Sequence, residues 1–574
     1  MPAWSRQLKT ATGSSRDARR GDRRRRCVRL AAGRGAVAKR FGVVVAGRDE
    51  RRAEAVALQL RGVFPDADIA TARIDTATVT PTDLIATGAT IVVDAAGPFQ
   101  GAEPTVARAA IAGGLSYVDL ADGRDFVAGF PALDTAAKAA GVVALTGCSS
   151  TPALSHAVLD HLTAGWREVV SVEAAISPGA KAPRGLSVMQ AILSWLGRPV
   201  RVFVTGGWAE RRGWDGLYRR DFGRAGWRWV SLCETPDLDL LPSRFRPRDR
   251  ALFLAGLEPW PAHLGAWVLA RLIAVFRFDP VPLAGLLVRL SAWASVVGSD
   301  RGAMRVEALG VDGEGRAVRA VWRLVAEPGE GPVTPSLPAL AAINSIAAGR
   351  VPSGASPCVG LLSLDDIEAE MEPHGLATEI IETRASLFAR AIGPAFGTLP
   401  DAIRALHETP GRSVWRGRAM TKGASGPLAA LVARLVGFPG GQADCEAEVR
   451  IEADGDRSIW RRRIGGRTFV SVLSKPAEGG RIEELFGALS FRLRLTPEGE
   501  RLIYTVEGWR MGPVSLPQAL APHTRTHERI DAEGRFVFDV EISVPLIGRL
   551  VRYCGWLERD RQDQRFLTKT VPAE

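Results

Sequence analysis

Short apolar runs alternate with amphipathic helical patterns from residue 41 to residue 146, and this alternation strongly restricts how the chain can fold. Val43 to Ala46 form an apolar run typical of a buried strand, and residues 49–60 place apolar side chains on one helix face. Short apolar strands joined by helices run parallel and are covered on both faces. The sequence therefore predicts an α/β fold with a doubly wound parallel sheet. The predicted strands span 43–46, 68–74, 90–95, 116–120 and 142–146, and the predicted helices span 49–60, 81–85, 105–112 and 130–140.

Length and composition indicate how many domains to expect. The chain has 574 residues, and a single core stops growing at roughly 250 to 300 residues, so two or three domains are expected. Hydrophobic residues make up 46% and charged residues 24% of the chain, which is typical of globular proteins. Much of the net charge of +11 comes from arginines between Arg16 and Arg40, so we expect no nucleic-acid partner for the mildly basic remainder.

Two further regions follow the predicted parallel sheet. The first combines helices with Trp- and Arg-rich sequence and a few strands, which indicates an α+β domain. The second alternates apolar and polar residues with a period of two between Gly-rich turns, which predicts a mostly antiparallel β domain. The boundaries that we predict are 1–36 for an Arg-rich leader that is disordered or aberrant, 37–152 for the parallel-sheet domain, 153–383 for the α+β domain, 384–560 for the β domain and 561–574 for a tail.

An apolar stretch at 262–297 raises the question of a membrane. Charged residues and prolines interrupt both of its halves, among them Arg271, Asp279 and Arg289, whereas a spanning helix needs about 20 consecutive apolar residues. We therefore predict a helical hairpin, packed either in a core or in a homodimer interface. Peripheral contact with a membrane surface is the alternative.

The six cysteines lie far apart and form no CxxC pair. Reduced thiols in a cytoplasmic protein are the simplest interpretation. The N-terminal residues run into arginines without the apolar segment of a secretory signal.

Residues just after the predicted strands are the best candidates for ligand binding, because a doubly wound sheet binds ligands outside the carboxyl ends of its strands. The strand at 43–46 is followed by Gly47 and Arg48. An arginine here suits the 2′-phosphate of NADP, whereas an acidic residue would suit the 2′-hydroxyl of NAD. A solvated arginine at a helix start is an equally good interpretation of Arg48 alone.

Two other strand ends carry candidate residues. The strand at 90–95 ends in Ala96, Gly97, Pro98 and Phe99, small or turn-forming residues that let the backbone approach a ligand. The strand at 116–120 contains Asp119, which could hold a ligand or bond only turn amides.

These strand ends resemble saccharopine dehydrogenase-like oxidoreductases, which bind NAD(P) with a Rossmann domain. The resemblance rests on VVDAAGPFQ (92–100), YVDLA (117–121) and GCSSTPALS (147–155), and it continues to about residue 372. From Phe388 to about Leu557 the chain resembles an uncharacterised domain fused behind such proteins in bacteria. The resemblance implies an NADP cofactor, with NAD as the alternative, a small-molecule substrate, and Gly97 to Phe99 on the nicotinamide side.

The resemblance also implies a Gly-rich turn after the first strand, where backbone N–H groups hold the pyrophosphate. The candidate is Gly33 and Gly35, which follow an apolar run at 28–32. Only four residues separate Ala38 from Val43, and a βαβ connection needs at least about 10 to 12. The first strand and its turn are therefore degenerate as written, through a frame or start-site error or through loss of dinucleotide binding.

Other residue clusters point to no further site. His523 and His527 have a spacing of four but no third ligand nearby, and His156 and His161 share no helix face, so we predict no metal site. The Trp- and Arg-rich segment 195–229 could stack nucleic-acid bases, although anchoring within the α+β domain is the preferred interpretation. No residue is assigned as catalytic.

Two functions remain open on the sequence. The first is an NADP(H)-dependent oxidoreductase that acts on an unidentified small substrate. The alternative is a catalytically degenerate Rossmann scaffold, with contact to a membrane surface through 262–297 or an apolar ligand bound by the β domain.

Overall fold

The computed structural model describes residues 7–11, 41–182, 192–285, 298–314, 317–383, 386–408, 411–454, 457–477 and 479–560. The chain divides into two compact units. The first comprises residues 1–164, 172–308 and 321–381, and the second comprises residues 165–171, 309–320 and 382–574.

The first unit begins with a parallel sheet of seven strands among the described residues. Helices on both faces connect these strands, and a buried cluster that includes Val92, Tyr117 and Phe130 forms the core. The strands are β1 (Gln7–Ala11), β2 (Gly42–Gly47), β3 (Ile69–Arg73), β4 (Ile91–Asp94), β5 (Ser116–Asp119), β6 (Val143–Thr146) and, from much later in the chain, β15 (Gly354–Pro357). The helices are α1 (Glu50–Val63), α2 (Pro81–Ile85), α3 (Thr105–Ala112), α4 (Arg124–Gly129), α5 (Asp134–Ala139) and α6 (Ser155–Leu162).

Local sequence explains why these helices begin where they do. Asp49 caps α1 by accepting a hydrogen bond from the Arg52 backbone N–H, and Ala53, Ala57 and Leu60 bury its apolar face. Thr80 and Asp83 form a reciprocal capping box at the start of α2. The predicted doubly wound sheet is confirmed, and each of its predicted strands lies within two residues of the observed one.

The first strand differs from the sequence prediction. The central position between β2 and β4 is occupied by Gln7–Ala11, paired in parallel with both neighbours, rather than by residues 28–32. Gln7–Ala11 belongs to the segment that we predict as a leader. A Gln-Leu-Lys-Thr-Ala segment lacks the apolar run of a typical buried parallel strand, so no sequence pattern marks it. Gly33 and Gly35 lie outside the described residues.

A second, mixed sheet follows in the order β10-β11-β12-β7-β13-β14-β16, with β8 paired to β12 and to β9. It confirms the predicted α+β region, although most strands between residues 199 and 255 carry no clear period in the sequence. Its strands are β7 (Glu168–Ser177), β8 (Pro199–Val204), β9 (Gly207–Arg212), β10 (Tyr218–Asp221), β11 (Trp227–Leu232), β12 (Arg250–Ala255), β13 (Gly302–Val311), β14 (Ala317–Ala326) and β16 (Leu376–Thr383). Its helices are α7 (Asp237–Phe245), α8 (Trp260–Phe276), α9 (Leu337–Ala347) and α10 (Leu364–Glu368).

The predicted hairpin at 262–297 is described only in its first part. Helix α8 is followed by a short helical turn at Val281–Leu283, and residues 286–297 lie outside the described residues. One face of α8 is buried through His263, Ala270 and Ile273. Within the described residues, no helix combines the length and the apolar character needed to cross a membrane.

The second unit contains an antiparallel β-barrel. Ten strands close into a ring through the pairing of β22 with β23, and the short β24 adds to β23. The predicted antiparallel β domain is confirmed. The strands are β17 (Gly411–Lys422), β18 (Gln442–Asp454), β19 (Arg457–Ile464), β20 (Arg467–Ala477), β21 (Arg481–Phe486), β22 (Leu489–Glu498), β23 (Arg501–Met511), β24 (Val514–Ser515), β25 (His523–Ile530), β26 (Phe536–Val544) and β27 (Gly548–Arg559). The helices are α11 (Leu387–Ile392), α12 (Asp401–Glu408) and α13 (Pro427–Val436).

Close packing of two strand-end turns in the parallel sheet leads to a first prediction. A Cβ at Gly123 would lie 2.9 Å from the carbonyl carbon of Phe99, whereas a Cβ at Gly129 would meet nothing within 4 Å. The two glycines have ordinary φ values of −78° and −79°, so they differ mainly in available space. We expect Gly123→Ala to lower the free energy of unfolding by about 1 to 3 kcal/mol and Gly129→Ala to leave it nearly unchanged. Thermal unfolding followed by circular dichroism measures both, and equal midpoints for the two variants would contradict this packing.

Candidate functional site

The strand order places a crevice at the carboxyl edge of the parallel sheet. From β1 the chain builds outward through β2 and β3, and it then returns to the other side of β1 to continue through β4, β5 and β6. The reversal lies between β1 and β4, and ligands of doubly wound sheets bind at the carboxyl side of such a point. The strand ends next to it are therefore the candidate site.

Arginines gather at the ends of β2 and β3. Arg48 follows β2 and is half-buried, and Arg73 ends β3 opposite Gly47 in the register of the two strands. Arg51 and Arg52 lie in the first turn of α1 beside them. Arg48 therefore lies where the sequence predicts a reader of the adenosine ribose. Arg73 was missed, although it lies one residue before the end of the predicted strand 68–74, where the same rule could have found it.

The turn after β4 separates the four candidate residues into two kinds. Asp94 is buried and accepts a hydrogen bond from the Ala96 N–H at 2.8 Å, which holds the turn against the strand. Gly97 has a φ of +28° and is half-buried, and Pro98 is exposed. The side chains of Ala96 and Phe99 are buried.

The position of Phe99 differs from the sequence interpretation. Its ring packs on Phe126, with the ring centroids 5.2 Å apart, and belongs to the core of the parallel-sheet domain. The ring therefore does not line the nicotinamide side. Only its backbone could do so.

Asp119 ties the ends of β5 and β6 together. One carboxylate oxygen accepts hydrogen bonds from the Ala121 N–H at 2.9 Å, the Thr146 hydroxyl at 2.9 Å and the Gly147 N–H at 2.7 Å. The side chain is fully buried, and burial raises the pKa of Asp119 to about 7 against these hydrogen bonds. Two of these three contacts are with turn amides, as in the second sequence interpretation, in which Asp119 bonds only such amides.

A charged network stands beside the same edge. Arg124, at the start of α4, donates two hydrogen bonds of 2.6 Å to Asp239, and Arg201 donates another to Asp239 at 2.7 Å. Glu234 lies 3.6 Å from Arg124, and partial burial raises the pKa of Glu234. This network connects the strand-end turn after β5 with the mixed sheet, and long sequence separations hid it from the sequence pattern.

A buried histidine–aspartate pair lies where α6 meets α7. The Nε2 atom of His156 is 3.6 Å from a carboxylate oxygen of Asp237, and both side chains are completely buried. Burial lowers the pKa of His156 to about 3 and raises the pKa of Asp237 to about 7, although the hydroxyls of Ser155 and Thr151 oppose the latter shift. Between these values the pair avoids two buried charges, which are costly in an apolar interior.

The remaining candidates are dispersed. Cys148 is buried with a raised pKa caused by burial and by Cys358 beside it, and His161 is exposed whereas His156 is buried. In the described part of the chain, no group of three or more His, Cys, Asp or Glu side chains could hold a metal ion. In the Trp-rich segment, Trp214 is buried and Trp208 is exposed beneath the Arg201 guanidinium.

Two family models match the chain. Residues 28–160 match the saccharopine dehydrogenase NADP binding domain. This match begins at Val28 and so includes Gly33 and Gly35 of the predicted phosphate turn. Residues 399–557 match DUF4166, a domain of unknown function. The suspected resemblance is confirmed for both domains.

Solved structures give a weaker comparison. Apo saccharopine dehydrogenase (L-Glu forming) from Saccharomyces cerevisiae is 12% identical, with 65% of this chain and 100% of that chain covered and a TM-score of 0.45. A probable dehydrogenase from Thermotoga maritima is 11% identical, with 63% and 93% covered and a TM-score of 0.30. The WlbA (WbpB) dehydrogenase from Thermus thermophilus, in complex with NAD and alpha-ketoglutarate, is 14% identical, with 64% and 93% covered and a TM-score of 0.28.

No curated protein matches the chain. Because TM-scores below 0.5 do not establish a shared fold across the whole chain, the assignment of the N-terminal domain depends on its family model. That model supports a nicotinamide dinucleotide cofactor and an oxidoreductase.

The buried pair leads to a prediction for pH. Because the pKa of Asp237 is higher in the folded state than its ordinary value of 3.8, its protonated form stabilises the fold at low pH, and this contribution is lost as the pH rises from about 4 to about 7. We expect the free energy of unfolding of Asp237→Asn, taken relative to that of the wild type, to increase as the pH rises from 5 to 8. The increase should be on the order of 3 kcal/mol. Urea unfolding at several pH values measures it. The lowered pKa of His156 makes the free energy of unfolding rise with pH in both proteins. The difference between the two proteins therefore reports the contribution of Asp237.

The matched control is Asp66→Asn, at an exposed position in the turn after α1. This variant should keep the pH profile of the wild type. Parallel profiles for wild type and Asp237→Asn would show that Asp237 does not ionise across this range.

Proposed function

We propose that the protein is an oxidoreductase that uses NADP(H) on a small-molecule substrate. The observation that supports it best is the pair of arginines, Arg48 and Arg73, at neighbouring strand ends on the side of β1 where the adenosine ribose binds in such domains. A 2′-phosphate adds negative charge and acceptor oxygens at that point, and arginine binds such groups with charged hydrogen bonds. The 2′-hydroxyl of NAD is neutral and offers the arginines no charge to bind.

The residues of the crevice fit the rest of a dinucleotide in the part that the structure describes. Gly97 lacks a Cβ and has a positive φ, so the turn after β4 can approach a ligand closely. The bound cofactor would supply or accept a hydride. The phosphate-binding turn itself, with Gly33 and Gly35, remains a prediction.

Charged and titratable side chains lie near the turn after β5, where we expect the substrate. The network of Arg124, Arg201 and Asp239 borders the turn after β5. Glu234, with its raised pKa and partial exposure, is the group to which we assign proton transfer to or from a small substrate. None of the five cysteines among the described residues forms a disulfide, which supports a cytoplasmic location.

The arginine pair gives a direct test. We expect Arg48→Ala and Arg73→Ala each to raise the dissociation constant of NADPH about 10- to 100-fold, because a charged hydrogen bond contributes about 1.5 to 3 kcal/mol. The dissociation constant of NADH should change less than twofold. Isothermal titration of the full chain measures both constants.

The control for this experiment is Arg108→Ala, an exposed arginine on α3 that pairs with Glu103. It should bind both dinucleotides as the wild type does. Equal weakening of NADPH and NADH would remove the argument for NADP. No NADPH binding to the wild type at millimolar concentration would exclude an oxidoreductase that uses NADP(H).

A second candidate function follows from helix α8. Its exposed side includes Val268, Leu272, Val275 and Phe276, of which the last two are 72% and 70% exposed. Apolar stripes of this kind mark interfaces, and Arg271 and Arg277 flank it. This apolar face of α8 could contact a membrane surface in a scaffold protein, or it could form the interface of a homodimer.

Vesicle flotation distinguishes these uses. If α8 contacts membranes, the full chain should float with vesicles that contain anionic lipid, and Phe276→Ser should reduce the bound fraction severalfold. Leu58→Ser, at an exposed apolar position on α1, should not. If the wild-type protein does not bind vesicles at all, the membrane hypothesis is excluded and the homodimer hypothesis remains.

A further inference from the structure

The barrel of the second unit encloses a cavity of about 380 Å³. Small barrels of about eight strands are nearly filled by their own side chains, so a ring of ten leaves more room. The volume falls within the range of roughly 300 to 1,000 Å³ that is typical of small-molecule sites. Scaling from an apolar cavity of about 150 Å³ that holds benzene, it would take about fifteen non-hydrogen atoms.

The wall of the cavity is mostly apolar. Along β26 every second residue from Phe536 to Val544 lines it, as the strand period requires. Further in the ring, Phe491 and Val506 line the cavity yet remain half-buried. In a barrel filled by its own side chains these residues would be fully buried. Their remaining apolar surface therefore faces interior space that a ligand can fill.

A helix lies at each end of this barrel. At one end α11 packs against β20, β21 and β22, and the Gly480 N–H donates a hydrogen bond to the Ala391 carbonyl. At the other end α13 connects β17 to β18, and its side chains Val432 and Val436 line the cavity. The cavity thus lies inside the ring of strands, between these two helices.

A polar cluster around Tyr504 interrupts the apolar wall, and the other polar residues of the lining are Arg462, Glu484, Thr524 and Thr526. Tyr504 donates a hydrogen bond of 2.8 Å to one carboxylate oxygen of Glu528, and His407 lies 2.6 Å from the other. Burial, followed by the charge of Glu528, raises the pKa of Tyr504, so its hydroxyl stays protonated. Because that hydroxyl also has lone pairs, it can accept a hydrogen bond from a ligand.

The charges that line the cavity do not favour an anion. Arg462 is the cation that lines it among the described residues, and its guanidinium stacks over Trp460 and donates to the Ser471 hydroxyl at 2.8 Å. Two carboxylates, Glu484 and Glu528, face the same space. An anionic head group would have to lose its water beside them, which is costly.

We infer that the barrel binds one neutral, mostly hydrocarbon molecule of about fifteen non-hydrogen atoms, whose hydroxyl or carbonyl group meets Tyr504 and Arg462. This site is independent of the dinucleotide crevice. It gives the domain of unknown function a chemical role as the carrier or sensor of an apolar compound.

The test is a titration of the full chain with 1-aminoanthracene, a neutral fluorescent probe of this size. We expect saturable binding of one probe per chain, with displacement by decan-1-ol at a concentration at least tenfold lower than by decanoate. No saturable binding would overturn the inference, and so would displacement by decanoate at equal or lower concentration.

Two substitutions locate the probe. Leu493 lines the cavity on β22, and Leu485 is exposed on the outer side of β21. We expect Leu493→Trp to raise the dissociation constant of the probe at least tenfold, because the indole takes up ligand space, and Leu485→Trp to change it less than twofold. Val540→Trp fills the cavity from β26 and repeats the test if Leu493→Trp does not fold.

Melting temperatures and NADPH titrations of the same variants serve as controls. A folded cavity variant that binds the probe as the wild type does would show that the probe lies elsewhere, and would overturn the inference. Phe276→Ser should leave probe binding unchanged, which excludes the exposed face of α8. NADPH binding should be the same in all four variants, so failure of the barrel site and failure of the proposed oxidoreductase are distinguishable.

Discussion

Every buried backbone N–H and C=O group must find a hydrogen-bond partner, and this requirement shapes both units of the protein. In the parallel sheet, β2 and β4 lie on either side of one central position, and an empty position there would leave two rows of backbone groups without partners. Gln7–Ala11 pairs with both neighbours over five and four residues. The polar character of that segment matters less than its ability to complete the sheet.

The same requirement acts on the second unit in a different way. An open antiparallel sheet of ten strands would expose two edges, and edges invite pairing with other chains. Pairing of β22 with β23 removes both. Closure then creates an interior whose size depends on the number of strands, so the cavity follows from backbone pairing before any side chain is considered.

The cost of burying an isolated charge determines where charged side chains lie in the structure. In the parallel-sheet domain, the cations Arg48 and Arg73 stand at the rim of the sheet, where water and ligands can reach them. Inside the fold, charge is either neutralised or held in pairs: His156 and Asp237 have pKa values shifted toward their uncharged forms, and Arg124 is matched by Asp239. Buried isolated charge is too costly to persist, whereas a solvated arginine at a strand end costs little.

Much of the fold follows from local pattern alone. Residues 41–146 alternate so regularly that the predicted strands and helices nearly match those observed, and the capping residues Asp49 and Thr80 mark helix starts within the sequence itself. Arg48, Gly97 and Pro98 were also identified as strand-end residues, because a doubly wound sheet brings those ends to one edge whatever its side chains are.

Other features required the tertiary structure. Gly354–Pro357 joins the sheet beside β6 across more than 200 residues, and the contact of Arg124 with Asp239 spans 115. The orientation of Phe99, toward Phe126 rather than toward a ligand, depends on which face of the turn packs on the core. Between residues 41 and 146 the sequence alone determined the order of strands and helices, because period and capping are local. The tertiary structure decided the partner of each strand end and the closure of the barrel, because these depend on contacts between residues far apart in the chain.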